Sequence, residues 1–525
     1  MGDLFSGLGA GWGLVDSPTA LLLIVAGLIV GFIVGVIPGF GGASAVAILL
    51  PFAVLLGAGN SVILTLAIYC GTAFGGSIPA ILLNIPGEAG SAVVAIDGYP
   101  MARTRPHLAV GISRMASMVG GVIGLVLTIL LIHPLSAVAL QIGPAEMFVV
   151  ALIALVTCSS LVGDSVIKGL IAGLLGMLIA MTGVGPVSAT PRMNFGLLEL
   201  YTGIPLIPAV LGLFAFGELI IVSREIAGQS AAVDGLGAAG MAPLKTAGRL
   251  RRLLGLEDFG ELVEGMKITL RYRATLLQAS VLGVVIGAIP GMGSSVAGFL
   301  AYGRARDRSK DPESFGKGNP EGIIAPEACD NAVSGGLLVP VLTLGVPGNG
   351  TSAVLLAALY LNGVEVGPRL MHDHPDLAYG SLLAALIASI LILPLGIVLA
   401  GPLIQFTKVR LEILIPIVLV LSVVGAYSAE NSMVDVVVAL VFGLLAVVLR
   451  LCRYPIIPLF LGFILGPLTE SSFVRSLALS QNDVSIFWQS AASKVLLAGL
   501  ALLIVSSNRR LRRQRQRRKA MADAT

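Results

Sequence analysis

Four Pro-Gly pairs interrupt apolar stretches of the sequence, and they are the residues best suited to chemistry. The pairs are Pro38-Gly39, Pro86-Gly87, Pro290-Gly291 and Pro347-Gly348. Proline removes a helical N–H and glycine lets the chain change direction, so each pair predicts a broken helix. Broken helices within lipid are tolerated only where they line a cavity enclosed by protein. The four pairs together predict an enclosed binding site, whereas any one alone could be a structural kink.

Small and polar residues follow each break, and they are of the types that begin helices. The N terminus of a half-helix offers free N–H groups and the positive end of the helix dipole, which suit a carboxylate. Because no Arg lies in the motifs, we expect N–H groups and hydroxyls to bind the carboxylates of a small substrate. The predicted substrate-binding residues are Gly39, Gly41, Ser44, Gly87, Ser91, Gly291, Ser294, Ser295, Gly348, Asn349, Thr351 and Ser352.

Other oxygen-bearing side chains near the breaks predict the binding of a coupling ion. Freed carbonyls with Ser, Thr and Asn oxygens suit Na⁺, whereas carboxylates inside membrane segments are candidates for relaying H⁺. For Asp97 and Glu327, capping of a helix at the membrane edge explains the sequence equally well. The predicted ion-coupling residues are Asn84, Glu88, Asp97, Glu327, Asp330, Asn331 and Thr343.

Other kinds of site find little support in the sequence. The run Met371–His374 contains two histidines, but without further ligands nearby a solvated loop is favoured over a metal site. The four cysteines lie far apart, which indicates neither a metal centre nor a disulfide framework. No hydrolase, protease or nucleotide-binding motif occurs. We therefore expect no enzyme activity, no cofactor and no metal other than Na⁺.

The composition indicates that these breaks lie in a membrane. Of the 525 residues, 56% are hydrophobic and 12% are charged, and the mean hydropathy is +0.96. Soluble proteins carry about 25% charged residues, so the apolar surface of this chain must face lipid. Apolar tracts recur along the sequence, and about 20 residues suffice for a helix to cross the bilayer. The expected fold is an all-α polytopic membrane protein with roughly ten to fourteen membrane segments.

The two halves of the chain repeat the same motifs, which predicts an internal duplication. The first motif recurs 252 positions later and the second recurs 261 positions later. Corresponding residues are Gly31 and Gly283, Pro38 and Pro290, Pro86 and Pro347, and Ser91 and Ser352. Chance likeness among apolar sequences is the alternative, since GxxxG spacing is common in membrane helices. Two motifs in the same order, with matching Pro-Gly placement, favour duplication.

The distribution of Lys and Arg predicts that the two copies are inverted. No basic residue precedes Arg103, so the loop near 57–61 is expected outside and the loop 103–107 inside. In the second copy, loop 304–317 carries five basic residues and is expected inside, with loop 365–376 outside. Inverted repeats with interrupted helices at the midplane are a recurring plan of secondary transporters.

These patterns divide the chain into four parts. We predict a first transmembrane repeat at 1–222, a cytoplasmic connector at 223–274, a second transmembrane repeat at 275–508 and a basic cytoplasmic tail at 509–525. A basic block beside a membrane helix typically sets orientation and meets anionic lipid, so we expect no nucleic-acid partner. The C terminus is expected in the cytoplasm and the N terminus in the periplasm, with no signal-peptide cleavage.

Four long stretches resemble the large membrane subunit (TctA) of the tripartite tricarboxylate transporters: Gly35–Ala53, Tyr69–Ala102, Gly287–Gly293 and Ala325–Leu356. Motif order and length also resemble that family. The resemblance implies the hairpins and elevator mechanism of the wider ion-transporter superfamily, and uptake driven by a Na⁺ or H⁺ gradient without ATP. The family commonly has a small residue and Asn where this chain has Cys329-Asp330, so a role for position 330 does not carry over.

The resemblance also implies partners and a location. The partners are a small membrane subunit (TctB-like) and a periplasmic solute-binding protein (TctC-like), and the location is the bacterial inner membrane. The sequence thus predicts the large subunit of a secondary active transporter that imports a small di- or tricarboxylate. A passive anion channel would use the same breaks without a coupling ion or delivery protein. An intramembrane enzyme would need a nucleophile–base pair, and none is visible in the sequence.

Overall fold

The computed structural model describes residues 2–37, 40–161, 165–185, 190–229, 259–289, 293–399, 402–403 and 411–504. Two of the predicted Pro-Gly breaks, at 38–39 and 290–291, lie outside the described residues. The predicted basic tail at 509–525 and most of the connector also lie outside them.

Helices make up nearly all of the regular structure. In chain order the α-helices are α1 Gly2–Val15, α2 Pro18–Val36, α3 Gly42–Val54, α4 Ala58–Leu83, α5 Ala95–Ala102, α6 Pro106–Ala139, α7 Pro144–Leu161, α8 Val166–Ala180, α9 Leu206–Leu211, α10 Gly217–Gln229, α11 Phe259–Arg271, α12 Arg273–Gly287, α13 Ser294–Arg308, α14 Pro320–Gly336, α15 Leu338–Leu344, α16 Gly350–Leu361, α17 Leu370–Asp373, α18 Pro375–Val398, α19 Leu411–Glu430, α20 Met433–Leu451, α21 Ile456–Leu479, α22 Ile486–Gln489 and α23 Ala491–Ile504.

Three kinds of short element complete the fold. A π-helical turn at Gly212–Phe216 joins α9 to α10. Short 3-10 helices occur at Ala89–Ala92, Leu198–Leu200 and Pro312–Ser314. Two strands, β1 Gly183–Val184 and β2 Pro191–Arg192, form an antiparallel hairpin.

Length and hydropathy confirm a polytopic membrane protein. Within the described residues, seven helical stretches are long and apolar enough to cross a bilayer, and eight shorter apolar helices accompany them. The shorter ones include α3, α12 and α16, which adjoin the predicted breaks. Long continuous spans and interrupted segments therefore coexist.

Local sequence signals set where several helices begin and end. Ser17 caps α2 by accepting a hydrogen bond from the Ala20 N–H, and Pro18 occupies the first turn. Asn319 caps α14 in the same way, with Pro320 following. The helices before the second break of each half end in left-handed residues, with φ 59° at Asn84 and φ 67° at Gly345.

The helices around the first break of each half form hairpins. α2 and α4 lie side by side and parallel, because Gly31 contacts Gly71 and Gly35 contacts Gly75. Small residues allow this close approach of backbones. α3 connects the two, so it must return towards the end where α2 began. The second half repeats this arrangement, with α12 parallel to α14 and α13 returning.

Contacts between the halves fix the relative direction of these hairpins. α6 of the first half packs parallel to α14, while α18 of the second half packs parallel to α4 and antiparallel to α6. It follows that α4 and α14 run in opposite directions. The contacts that show this are Gly120 with Ala328, Gly124 with Ala332, Gly121 with Ser389, Cys70 with Ser389, and Phe74 and Arg114 with Gly396.

The end of the connector forms an amphipathic helix that docks on α6. In α11, Gly265 packs against the Leu108 carbonyl, and Arg105 forms ion pairs with Glu261 and Glu264. The Arg105 guanidinium holds the pKa of the Glu264 carboxyl below its usual range. The connector is therefore attached to the membrane domain beside the loop 103–107.

A candidate site where the helix breaks meet

The first break of each half leads into a helix with the same backbone conformation. Gly41 precedes α3 with φ −79° and ψ 176°, and Gly293 precedes α13 with φ −76° and ψ 166°. The two positions are separated by the 252 residues that the sequence predicts. Neither glycine has a side chain that could cap its helix, so partners for the first N–H groups of α3 and α13 must come from elsewhere in the chain.

The second breaks also correspond in position, but they differ in the helix that follows. Asn349 begins α16 with a capping box, in which its Oδ1 accepts from the Ser352 N–H at 2.8 Å. The equivalent Glu88 is followed by a 3-10 helix of four residues, Ala89–Ala92. Val93 and Val94 continue in the right-handed helical conformation into α5, so a helical segment follows this break but begins as a 3-10 turn.

The second break of the first half meets the first break of the second half. A Cβ on Gly90 would lie 2.7 Å from Ser294 Oγ and 2.8 Å from Asp330 Oδ1. The Asp330 side chain is 3% exposed, interacts with the Ser294 hydroxyl and lies near the Glu88 carboxylate. Ser91 is fully buried, and within the described part of the chain its hydroxyl has no hydrogen-bond partner. We call these residues (Glu88, Ser91, Ser294 and Asp330) the acidic cluster.

The other two breaks meet in a second contact between the halves. A Cβ on Gly42 would lie 2.8 Å from Thr72 Oγ1 and 3.0 Å from Thr351 Oγ1. Asn349 Nδ2 donates to the Tyr69 hydroxyl at 3.3 Å. We call these residues (Gly42, Tyr69, Thr72, Asn349 and Thr351) the neutral cluster. Each cluster thus contains residues from both halves.

Tyr69 and Glu88 join the two clusters into one centre. The Tyr69 hydroxyl oxygen lies near Glu88, Asp330 and Asn349. The Glu88 carboxylate faces the backbone N–H of Gly42, at the start of α3. Sequence analysis missed Tyr69, although a signal was present: Tyr69 precedes Asp330 by 261 positions and is its counterpart in the repeat.

Close backbone contacts hold the first-half break in place. A Cβ on Gly87 would collide with the Gly35 carbonyl oxygen and lie 2.7 Å from Gly76 Cα. At the equivalent Gly348 the nearest atom would be Leu337 Cβ at 3.4 Å, an ordinary contact. The two halves are therefore unequally packed at equivalent positions.

Glu327 lies near Asp330, but its carboxylate is held by partners outside the acidic cluster. It is fully buried on α14, and its carboxylate accepts hydrogen bonds from Ser113 Oγ at 2.9 Å and Ser117 Oγ at 2.7 Å. The Asn331 side-chain amide donates to the Glu327 carbonyl oxygen at 3.0 Å. The sequence motifs also do not point to Arg114 of α6, which is buried near Gly396 of α18 and whose Nε and Nη1 have no partner among the described residues.

Asp97 is not brought to the breaks. Its buried carboxylate accepts hydrogen bonds from the backbone N–H groups of Gly316, Gly318 and Asn319 at 2.7–2.9 Å, and from the Tyr302 hydroxyl at 2.9 Å. These four donors fasten α5 to α13 and to the loop that precedes α14.

The remaining predicted residues are placed as follows. Ser44 is buried on α3, Asn84 is exposed at the end of α4, and the Thr343 hydroxyl donates to the Val339 carbonyl at 2.8 Å. Gly39 and Gly291 lie outside the described residues, as does the side chain of Ser295. Within the described part of the chain, no group of three or more His, Cys, Asp or Glu side chains could hold a metal ion.

Comparison with known proteins gives a family match and two relatives. The profile of the tripartite tricarboxylate transporter TctA family matches residues 21–461. An Agrobacterium vitis protein described as "Uncharacterized 52.8 kDa protein in TAR-I ttuC' 3'region" is 31% identical over 509 residues, spanning 96% of this chain and 97% of that protein. A second A. vitis protein, "Uncharacterized protein in TAR-II ttuC' 3'region", is 33% identical over 223 residues, spanning 42% of this chain and 92% of that protein. No solved structure matches.

Proposed function

The chain belongs to the tripartite tricarboxylate transporter TctA family, and from this premise we propose that it imports a small di- or tricarboxylate as the large membrane subunit of a secondary active transporter. The proposal rests on one observation, which is that breaks from the two halves meet in pairs. The second break of the first half meets the first break of the second half at the acidic cluster, and the other two breaks meet at the neutral cluster. A site assembled from both halves can open to one side of the membrane and then to the other when the halves move relative to each other.

The substrate carboxylates would bind at the starts of α3 and α13. The residues that begin these helices provide no side-chain cap, so the first N–H groups can receive an anion once the Glu88 and Asp330 carboxylates that now face the helix starts are displaced. Thr351, Ser294 and Asn349 would add hydroxyl and amide donors. Two helix starts in one centre would suit a substrate with at least two carboxylates.

Glu88 and Asp330 would couple the ion to the substrate. Each carboxylate already faces one of these helix starts, Glu88 at Gly42 of α3 and Asp330 at Ser294 of α13. Two neighbouring carboxylates in a membrane interior repel a third anion strongly. H⁺ or Na⁺ would neutralise them, and the substrate carboxylates would then take their places at the helix starts. This competition would make substrate binding depend on the ion.

An inverted-repeat architecture with elevator-like movement is part of the proposal. The opposite directions of α4 and α14, and the hairpins α2–α3 and α12–α13 that enter from opposite ends, support it. The proposed location is the inner membrane, with a periplasmic N terminus and a cytoplasmic C terminus. A TctB-like membrane subunit and a TctC-like periplasmic binding protein would complete the system.

Uptake into cells that express the full system tests the function. Radiolabelled citrate, succinate, malate and tartrate would be offered with the ion gradient intact, and then with the gradient collapsed or with ATP depleted at a clamped gradient. We expect accumulation of at least one carboxylate that requires the gradient and the binding protein but not ATP. Downhill equilibration without accumulation would indicate a channel and refute the proposal.

Neutral variants test the coupling mechanism. Glu88→Gln and Asp330→Asn remove the competing charges, so we expect substrate binding that no longer depends on pH or Na⁺. Glu313→Gln, at an exposed carboxyl, is the matched control and should behave as wild type. Unchanged ion dependence in both Glu88→Gln and Asp330→Asn would show that the coupling ion binds elsewhere.

Labelling tests the orientation. Leu56→Cys and Lys310→Cys place thiols on exposed loops of the first and second halves. We expect them to react with a membrane-impermeant reagent from opposite sides of the membrane. Reaction of both from the same side would contradict inverted repeats.

A further inference from the structure

A cavity of about 600 Å³, distinct from the acidic and neutral clusters, lies between the β1–β2 hairpin, the end of α16 and the second half of α21. Its volume falls within the range of about 300–1,000 Å³ that is usual for small-molecule sites. Loop residues Glu365 and Val366 contribute to its wall, and the charge pattern predicts that this loop is external. The cavity therefore opens on the side from which a periplasmic protein would deliver substrate.

The cavity wall touches the second break of the second half. Gly345, the left-handed residue that ends α15, lies against the Val366 carbonyl and the Tyr360 hydroxyl. Both of these residues line the cavity. α16 runs from the break at Asn349 to Tyr360 at the cavity wall. A ligand in the cavity would thus be one short helix away from the neutral cluster.

Two arginines supply the charge that a carboxylate would require. Arg192 on β2 is held by Glu470 of α21 in a two-point ion pair, with Nη1 at 2.6 Å and Nη2 at 3.0 Å from the carboxylate oxygens. Its Nε is buried and has no hydrogen-bond partner among the residues that the structure describes. Arg475, one turn further along α21, is exposed in the same cavity and forms no ion pair within the described part of the chain.

The Arg192–Glu470 pair shows the contact that a substrate would make. Arginine binds carboxylates through two parallel hydrogen bonds, and an incoming carboxylate can replace an internal one in the same geometry. Arg475 offers a second guanidinium that needs no displacement.

We propose that this cavity is a capture site, at which Arg475 and Arg192 hold a di- or tricarboxylate before it reaches the helix breaks. This inference rests on the proposed function. Arg475 receives one carboxylate on arrival, and a second carboxylate takes the place of Glu470 on Arg192. Release of Glu470 then breaks the link between β2 and α21 and opens the way towards Tyr360 and α16.

Uptake kinetics of the complete system test this site, with radiolabelled citrate or whichever of the four carboxylates the wild type accumulates. Loss of a hydrogen bond to a charged group weakens binding by about 10-fold or more, so we expect Arg475→Gln to raise KM about 10-fold while the maximal rate is kept. Arg192→Lys should raise KM similarly, because lysine keeps the charge but not the two-point contact. Glu470→Gln removes the competitor and should lower KM or leave it unchanged.

Arg369→Gln is the matched control. Arg369 is exposed on the same predicted external side, and it does not line the cavity. A wild-type KM in Arg369→Gln separates capture within the cavity from general attraction of anions to the surface. Equal defects in Arg369→Gln and Arg475→Gln would overturn the proposal. So would equal losses in Arg192→Lys and Glu470→Gln with Arg475→Gln unaffected, because the ion pair would then only fasten the hairpin.

A labelling experiment gives a readout that does not depend on transport. Thr202 is exposed in the cavity, so Thr202→Cys in a Cys452→Ser background reports access to it. We expect the carboxylate to slow the reaction with an anionic thiol reagent, and Arg475→Gln to abolish that protection. Wild-type uptake without any protection refutes the capture site alone, whereas absence of uptake in the wild type refutes the proposed function.

Discussion

The same substitution at equivalent glycines of the two halves should be damaging in the first half and tolerated in the second. Gly87 and Gly348 are related by the 261-residue offset of the repeat. A Cβ on Gly87 would overlap the Gly35 carbonyl oxygen and lie 2.7 Å from Gly76 Cα. Both obstacles are backbone atoms, so α2 and α4 would have to separate by roughly 1 Å in a closely packed interior. At Gly348 the nearest atoms would lie 3.4 Å and 3.5 Å away.

Overpacking of this kind costs about 1–3 kcal/mol, so Gly87→Ala should lower the thermal stability of the purified protein. The displaced break should also abolish carboxylate uptake. Gly348→Ala should keep near-wild-type stability and uptake, since the added methyl group fills ordinary van der Waals space. Thermal unfolding in detergent and uptake in cells would be measured for both variants at matched expression. Equal behaviour of the two variants, whether both are tolerated or both are lost, would refute the unequal packing on which the prediction depends.

Three further predictions concern buried carboxylates and the connector. Asp97→Ala leaves three backbone N–H groups and the Tyr302 hydroxyl without their acceptor. The free energy of unfolding should therefore fall by about 1.5–3 kcal/mol or more. Asp311→Ala, on the exposed part of the same loop, is the control and should have wild-type stability. The double variant Ser113→Ala, Ser117→Ala removes two hydrogen-bond donors from the Glu327 carboxylate and should destabilise the protein. Adding Glu327→Gln to this variant should restore part of the lost stability, because the uncompensated charge is removed. No restoration would show that the hydroxyls act independently of Glu327. The Arg105 guanidinium holds the pKa of Glu264 below its usual range, so the contribution of this pair is present above the ordinary carboxyl pKa of about 4.5 and is lost as the pH falls through the lower folded-state pKa. Arg105→Gln should therefore lower connector protection in hydrogen exchange at pH 7, and its difference from the wild type should shrink as the pH is lowered below the ordinary carboxyl pKa.

The sequence was sufficient for the class of fold and for the location of the breaks. Hydropathy and the scarcity of charge required helices in lipid, because neither depends on which segments come to lie together. The repeat offsets also predicted local conformation. Gly41 and Gly293 share a backbone geometry because equivalent short sequences meet the same local constraints. Asn84 and Gly345 both adopt the left-handed conformation that ends a helix, for which these residue types are favoured.

Tertiary structure decided which residues meet and what each carboxylate does. Glu88, Asp97, Glu327 and Asp330 all look alike in the sequence, as acids beside apolar tracts. Packing places Asp97 against three loop N–H groups and Glu327 against two serines on α6, whereas Glu88 and Asp330 lie together at helix starts. These partners come from distant segments, so no local pattern could separate the four roles.

The tertiary structure also decided that each break meets a break of the other half. Each half contains two breaks, and the sequence by itself allows them to meet within a half or between halves. The parallel packing of α6 on α14 and of α18 on α4 interleaves the halves, and this brings Gly90 to Ser294 and Gly42 to Thr351. The sequence determined that the chain lies in lipid, that it forms helices and where those helices are interrupted, because these properties follow from local composition. Only the long-range packing of small residues, which lets the backbones approach closely, decided that the interruptions form one centre.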